Sequence, residues 1–257
     1  MQNDSEHLTE DWLLDGRVRL LQPANGYRVG VDAVLLAAAV AARAGQSVLD
    51  VGTGVGSAAL CLATRAPDTA VTGLDTDRSM VRLAAANAEA NGLSRRVQFF
   101  TGDLMTPPIR LAPASFDHVM ANPPYLAQGT VRESPHPQKA AATVESTADL
   151  DDWVRFCVLM VRHKGVVTMI HRADRLVHVL QAFSERLGGV VVFPLWPGGN
   201  DGPDGKNRKP AKRVIVSGVK GSAAPPSLVP GLTLHRPDGA FTPEADAVVR
   251  RGGALVA

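Results

Sequence analysis

Asn122-Pro-Pro-Tyr125 is the tetrapeptide whose residue types point most directly to chemistry. An exocyclic amine or amide nitrogen is a poor nucleophile because its lone pair is delocalised. The side-chain oxygen of Asn122 can accept one N–H of such a nitrogen, and the main-chain carbonyl of Pro123 can accept the other. Two acceptors pull the nitrogen toward sp³ geometry and aim its lone pair at an electrophile. The prolines hold that carbonyl in place because their φ is fixed. Tyr125 offers a flat face for a planar base, and such stacking contributes about 1–3 kcal/mol per base. The competing reading is an ordinary Asn-Pro turn.

A second constellation lies upstream. Asp50-Val-Gly-Thr-Gly-Val-Gly56 follows a short apolar run and precedes an Ala/Leu-rich one. Glycines at 52, 54 and 56 permit a sharp strand-to-helix turn and leave room for a ligand against the main chain. The spacing is GxGxG; Ser57 stands where the dinucleotide fingerprint has its third glycine. No GxxxxGK[ST] loop is present, which disfavours ATP hydrolysis. Asp75 ends the next apolar run, where a carboxylate can accept two ribose hydroxyls at the carboxyl edge of an open α/β sheet. Asp77 reads first as the cap of the following helix. Asp103 either accepts from the amino group of an adenine or caps the turn from Leu104 onward.

The elements that would position these residues alternate. Strands are expected over 47–50, 70–75, 97–100, 116–121, 166–170, 190–193 and 213–217, with helices over 57–65, 78–91, 150–163 and 172–187. Before them, 1–10 reads as a frayed polar start, 17–22 as a strand and 23–26 as a turn. An Ala/Leu-rich helix is expected to start with Asp32 as N-cap and to end near Gly45. After them come a Pro-rich surface connection over 224–230, a Pro237-Asp-Gly239 turn and a helix start at Thr242-Pro243. Short strands apolar on both faces, alternating with helices, imply an α/β fold with a mostly parallel, seven-stranded sheet flanked by helices.

Together the loop and the two acidic strand ends resemble the class I S-adenosylmethionine-dependent methyltransferases, over about residues 47–217. The resemblance implies their Rossmann-like fold and S-adenosylmethionine as cofactor. Asp50, Gly52, Thr53, Gly54 and Gly56 would lie along its methionine part, Asp75 at the ribose and Asp103 at the adenine amino group. Asn-Pro-Pro-Tyr is what the amino-group methyltransferases carry, acting on adenine N6, cytosine N4 or a release-factor glutamine. Asn122, Pro123 and Tyr125 would then be the catalytic group, with Asn122 also against the cofactor. The stretch from Gln22 to Ala37, with Arg28, Gly30, Asp32, Leu35 and Leu36 in order, is similar to the bacterial adenine-N6 methyltransferases of a valine tRNA. In that family it folds back over the cofactor, which makes Asp32 a further cofactor residue. Residues 1–46 would be this N-terminal segment and 47–257 the methyltransferase core, one domain in all.

Charge bears on the substrate. The chain of 257 residues has a net charge of +2, 45% hydrophobic and 20% charged residues, a globular and not a disordered composition. Between Gly205 and Lys220 lie Lys206, Arg208, Lys209, Lys212, Arg213 and Lys220 and no acid. Such a cluster either neutralises phosphates or is a solvated loop. The first five join Tyr125 as candidate RNA-binding residues, with tRNA as the partner. The loop 126–149, with Arg132, His136 and Lys139, has the position of a lid. A release-factor glutamine, rRNA and DNA are the alternative substrates. About 45 residues precede the glycine loop, too few for the helical domain that glutamine methyltransferases carry there. An RNA-binding module with an idle cofactor site and an NAD-dependent dehydrogenase fit less well, given the intact acids and the missing GxGxxG. Cys61 and Cys157 sit alone in apolar runs and read as reduced core thiols, so no metal is expected. The longest apolar run, 33–42, is half a membrane span, and the acidic first 16 residues carry no Lys or Arg. A cytoplasmic protein is expected, without membrane contact.

Overall fold

The structure, a computed structural model, describes residues 7–25, 28–124, 148–198 and 209–255. The central sheet contains β3 (Ser47–Val51), β4 (Ala70–Asp75), β5 (Val97–Thr101), β6 (Phe116–Ala121), β7 (Val161–Arg172), β8 (Leu187–Gly198) and β9 (Arg213–Lys220). Their spatial order is β5-β4-β3-β6-β7-β9-β8, all parallel except β9. Two short strands, β10 (Ser227–Leu228) and β11 (Leu232–His235), continue in parallel along the outer edge of β8. The described sheet thus has nine strands, the expected seven plus two.

Alternation along each central strand sends neighbours to opposite faces. Val48 and Met120 join an apolar cluster under α1 (Val31–Ala39), α2 (Ser57–Arg65) and α3 (Arg78–Ala90). Leu49, Val51, Val119 and Ala121 join a second cluster under α4 (Leu150–Met160) and α5 (Leu176–Ser184). Both faces are covered, which is why the strands carry no polar alternation.

The N-terminal part departs from expectation. Residues 8–13 are not frayed: β1 (Leu8–Leu13) pairs antiparallel with β2 (Val18–Pro23) in a separate hairpin. The free edge of β2 is met by a helix. Asn91 Oδ1 accepts Arg19 N–H at 2.8 Å, Asn87 Oδ1 accepts Leu21 N–H at 2.8 Å, and their amide groups donate back to the Arg19 and Leu21 carbonyls. One turn apart on the α3 surface, the two side chains imitate a strand edge.

Helix ends also differ. The N-cap of α1 is Gly30, and Asp32 lies inside the first turn, where its charge suits the helix dipole. The helix stops at Ala39; its last carbonyls are taken by the Arg65 guanidinium and by Leu255 N–H. Helix α4 ends at Met160, three residues early, because Lys220 Nζ donates to the carbonyls of Val158 and Val161 and the chain enters β7 at once. Residues 173–175 form a 3₁₀ turn ahead of α5. Thr242 caps α6 (Pro243–Val249) by accepting Ala245 N–H, as its sequence suggests. No helix of the described residues is long and apolar enough to cross a membrane.

Candidate active site

Strand order reverses between β3 and β6: the chain leaves β3 for β4 on one side and returns to β6 on the other. Open α/β sheets bind ligands in the crevice outside the carboxyl ends at such a point. A cavity of about 370 Å³ lies there. Asp50, Gly52, Thr53, Gly54, Asp75, Asp103, Asn122 and Pro123 all line it, so elements about 70 residues apart bring the expected residues to one place.

The loop after β3 is built by its own hydrogen bonds. Gly52 and Thr53 N–H both donate to the Leu74 carbonyl, at 2.8 and 3.0 Å, which folds the loop across the end of β4. Gly54 N–H donates to Asp75 Oδ2 at 2.8 Å, and Asp77 N–H to Asp75 Oδ1 at 3.0 Å. A carboxylate has about four acceptor positions, so about two remain for a ligand. Burial, followed by the charge of Asp77, holds the Asp75 carboxyl above the usual carboxylate range. Asp77 caps α3 through Ser79 and Met80 N–H, the role read for it first. Asp103 accepts Met105 N–H at 2.9 Å, the local turn bond, and it also lines the cavity.

Asp50 is only 2% exposed. Its Oδ2 accepts the Thr53 hydroxyl at 2.7 Å, yet burial outweighs that bond and pushes the carboxyl up to about 7. Two glycines are required by close approach. A Cβ on Gly52 would lie 2.6 Å from the Trp153 ring. Gly56 has φ +85° and a Cβ there would lie 2.8 Å from Phe99.

Three contributors have no obvious sequence signal. Trp153, from α4, covers the loop from the second face of the sheet. Asn87 donates to the Val55 carbonyl at 3.0 Å and so ties the loop to α3 and the hairpin. Gln22, 2% exposed, accepts Val29 N–H at 2.9 Å and donates to Asp11, whose carboxylate also holds Arg28 at 2.6 Å. These bonds brace the stretch in which Pro23, Asn25 and Val29 line the cavity. A signal for Asn87 exists in hindsight: Asn at i and i+4 on an otherwise Ala-rich helix face.

Other expected residues are placed differently. Asp32 does not line the cavity; its carboxylate pairs with Arg213 Nε at 2.8 Å. That bond also takes up part of the Arg213 guanidinium. Arg213, Lys212 and Lys209 lie at the start of β9 and just before it, on the carboxyl edge of the parallel strands, whereas Lys220 sits at the far end of β9 and caps α4. Tyr125, Lys206, Arg208 and the whole 126–147 stretch lie outside the described residues.

The family model described as methyltransferase small domain matches residues 27–145. A tRNA1(Val) (adenine(37)-N6)-methyltransferase of Porphyromonas gingivalis is 32% identical over 155 residues, which is 58% of this chain. The matching region spans 60% of the length of that relative. A release factor glutamine methyltransferase of Chlorobaculum tepidum is 39% identical over 83 residues, 32% of this chain and 28% of the relative. Among solved structures, a predicted O-methyltransferase of Agrobacterium tumefaciens superposes with a TM-score of 0.70 at 25% identity, covering 87% of this chain and 98% of the other. The fold is the Rossmann-like class I methyltransferase fold, and the chain resembles the tRNA1(Val) adenine-N6 enzymes.

Proposed function

We propose that the chain is an S-adenosylmethionine-dependent methyltransferase acting on an exocyclic amino group, adenine N6 in tRNA. The observation that carries this is the position of Asn122 and Pro123 on the wall of the cavity that Asp75 and Asp103 also line. The cavity fits the cofactor chemically. Asp75 keeps acceptor capacity for a ribose, Asp103 for an amino group, and Gly52, Thr53 and Gly54 present backbone beside the buried Asp50 for the methionine part, whereas Gly56, expected there too, is off the cavity wall and packs against Phe99 and Ala84. Apolar walls from Leu74, Met80 and Leu104 suit a purine.

The bound cofactor supplies an electrophilic methyl group on sulfur. Asn122 Oδ1 and the Pro123 carbonyl accept the two N–H bonds of the target nitrogen and aim its lone pair at that carbon. Methyl transfer to that nitrogen would leave it with a surplus proton, which would pass to water. Acceptance strengthens as the nitrogen becomes positive, so Asn122 stabilises the transition state more than the ground state. RNA is favoured over a protein glutamine by Lys209, Lys212 and Arg213 on the same edge of the sheet, joined in sequence by Lys206 and Arg208. It is also favoured by the likeness to tRNA-modifying relatives over a longer stretch. Tyr125 follows Pro124 directly and would stack the base.

The test is single-turnover transfer of labelled methyl groups into unmodified tRNA, with nucleoside analysis, beside transfer into a release factor. N6-methyladenosine is the expected product. Asn122→Ala should lower the transfer rate by about 10²–10³, by analogy with loss of one preorganised hydrogen bond, while the cofactor still binds in calorimetric titration. Transfer at the native rate by this variant, or transfer into protein alone, overturns the reading.

A further inference from the structure

A second concavity opens beside the cofactor cavity, at the free edge of the sheet. It is lined by Arg78 and Arg82 from α3, Phe100 from the edge strand β5, and Pro108, Ile109 and Arg110 from the loop after it. Arg78 directly follows Asp77, and β5 leads into Gly102 and Asp103, both on the cofactor cavity wall. The two concavities are therefore adjacent.

The composition of this groove is unlike a folded-state requirement. All three arginines are exposed. Among the described residues Arg78 and Arg110 take part in no hydrogen bond or ion pair, and Arg82 has only the longer-range attraction of Asp77. Ile109 is fully exposed between them. Three arginines line one half-apolar groove and repel one another, with only the longer-range charge of Asp77 to relieve this. An anion with a flat or apolar part removes both costs together, through charge-assisted hydrogen bonds and covered surface.

The second cationic site, at Lys209, Lys212 and Arg213, lies beyond the other side of the cavity. From β9 to β5 there are five strand spacings, about 24 Å at roughly 4.7–4.9 Å each. Asn122 follows β6, between them. A ligand touching both sites while presenting one amino group to Asn122 must carry negative charge over that whole span. A nucleic-acid backbone does so; a short protein loop with one glutamine does not.

We propose that the Arg78–Arg82–Arg110 groove is a second docking site for the RNA substrate, holding its backbone phosphates on the adenine side of the cofactor. The proposal rests on the reading of RNA as substrate. It assigns binding, not chemistry, to these residues: they fix where the RNA enters the crevice, and the cofactor is bound without them.

The experiment is equilibrium binding of unmodified tRNA to the full chain over a range of salt, beside methyl-transfer kinetics. The variant replaces Arg78, Arg82 and Arg110 together by Ala. The slope of log affinity against log salt should become shallower by about 0.7–0.9 for each phosphate that is no longer neutralised. KM for tRNA should rise with kcat and cofactor affinity retained. The triple Arg→Lys variant keeps the charges and should restore most of the slope, which separates missing charge from a disturbed fold. An unchanged slope in the Ala variant, with the native protein methylating tRNA, overturns the groove alone. Native protein that neither binds nor methylates tRNA, but methylates a protein, overturns the groove and the RNA reading together.

Discussion

Asp75 joins three parts of the site: its carboxylate accepts one N–H from the glycine loop and one from the start of α3, and still has acceptor positions open to the cavity. Asp75→Ala should therefore weaken cofactor binding by more than the worth of a single hydrogen bond. Hydrogen bonds to a charged group contribute about 1.5–3 kcal/mol, roughly 10- to 150-fold in affinity. The loop amide of Gly54 also loses its partner. Asp75→Asn keeps an acceptor and should fall between the two in calorimetric titration. Affinity equal to native in the Ala variant would move the ribose anchor elsewhere. Sequence shows such a residue well when its partners are close in the chain. Asp77 is legible as a cap because Ser79 and Met80 are two and three residues away. Asp32 is not, because what claims its carboxylate is Arg213, 181 residues later. Trp153 is silent for another reason: an aromatic on an amphipathic helix reads as core, and only the fold shows that it closes on Gly52.

The hairpin is attached to the core by an arrangement that strand patterns do not announce. An unpaired strand edge is costly to leave dry, and here the side chains of a helix satisfy it. Asn87 makes three such bonds, to both backbone groups of Leu21 and to the Val55 carbonyl in the glycine loop. Asn91 bonds Arg19 and its own helix. Both replacements by Ala should lower stability, Asn87→Ala by about 2–4 kcal/mol because buried backbone groups lose their partners. Only Asn87→Ala should also raise the cofactor dissociation constant, since only Asn87 reaches the loop. Thermal unfolding and calorimetric titration of the two variants check this, and equal losses of cofactor affinity would contradict it. The same distance in sequence explains which elements were legible. β3 to β6 are, because buried parallel strands are apolar whatever their neighbours. β1 is not: Thr9, Glu10 and Asp11 look like solvent-facing chain, and their partner is β2, whose other edge is met by α3. The early end of α4 depends on Lys220, about 60 residues away, and not on any local stop signal.

Across the whole molecule, two buried titrating groups act in opposite directions on stability. Asp50 titrates near 3.8 when unfolded and at about 7 when folded, because burial disfavours its charge. The folded state then binds the proton more tightly, so the Asp50 contribution is full below about pH 4 and declines as pH rises to about 7. His171, buried at the end of β7, is lowered from 6.5 to about 4, first by burial. Its neutral form is the folded one, so its contribution is complete above about pH 6.5 and is lost as pH falls toward about 4. Between about pH 4 and 6.5 the two slopes have opposite sign, each at most one proton, so these two contributions largely offset each other in the thermal midpoint of the native protein. Asp50→Asn removes the descending leg only. The Asn oxygen can still accept the Thr53 hydroxyl, so the loop keeps its local bond. The midpoint of this variant should climb from about pH 4.5 to 6.5, then level off, and at about pH 7.5 it should exceed that of the native protein. Cofactor affinity should move the other way. A buried carboxylate in that wall is costly to the empty fold and useful to a cationic ligand, the usual trade between stability and activity. Calorimetric unfolding across this pH range, with cofactor titration at its upper end, measures both. Parallel pH profiles for the native protein and the Asp50→Asn variant would mean that Asp50 keeps its charge throughout. The origin of the site's destabilising charge would then have to be sought at Asp75, whose carboxyl is raised in the same direction.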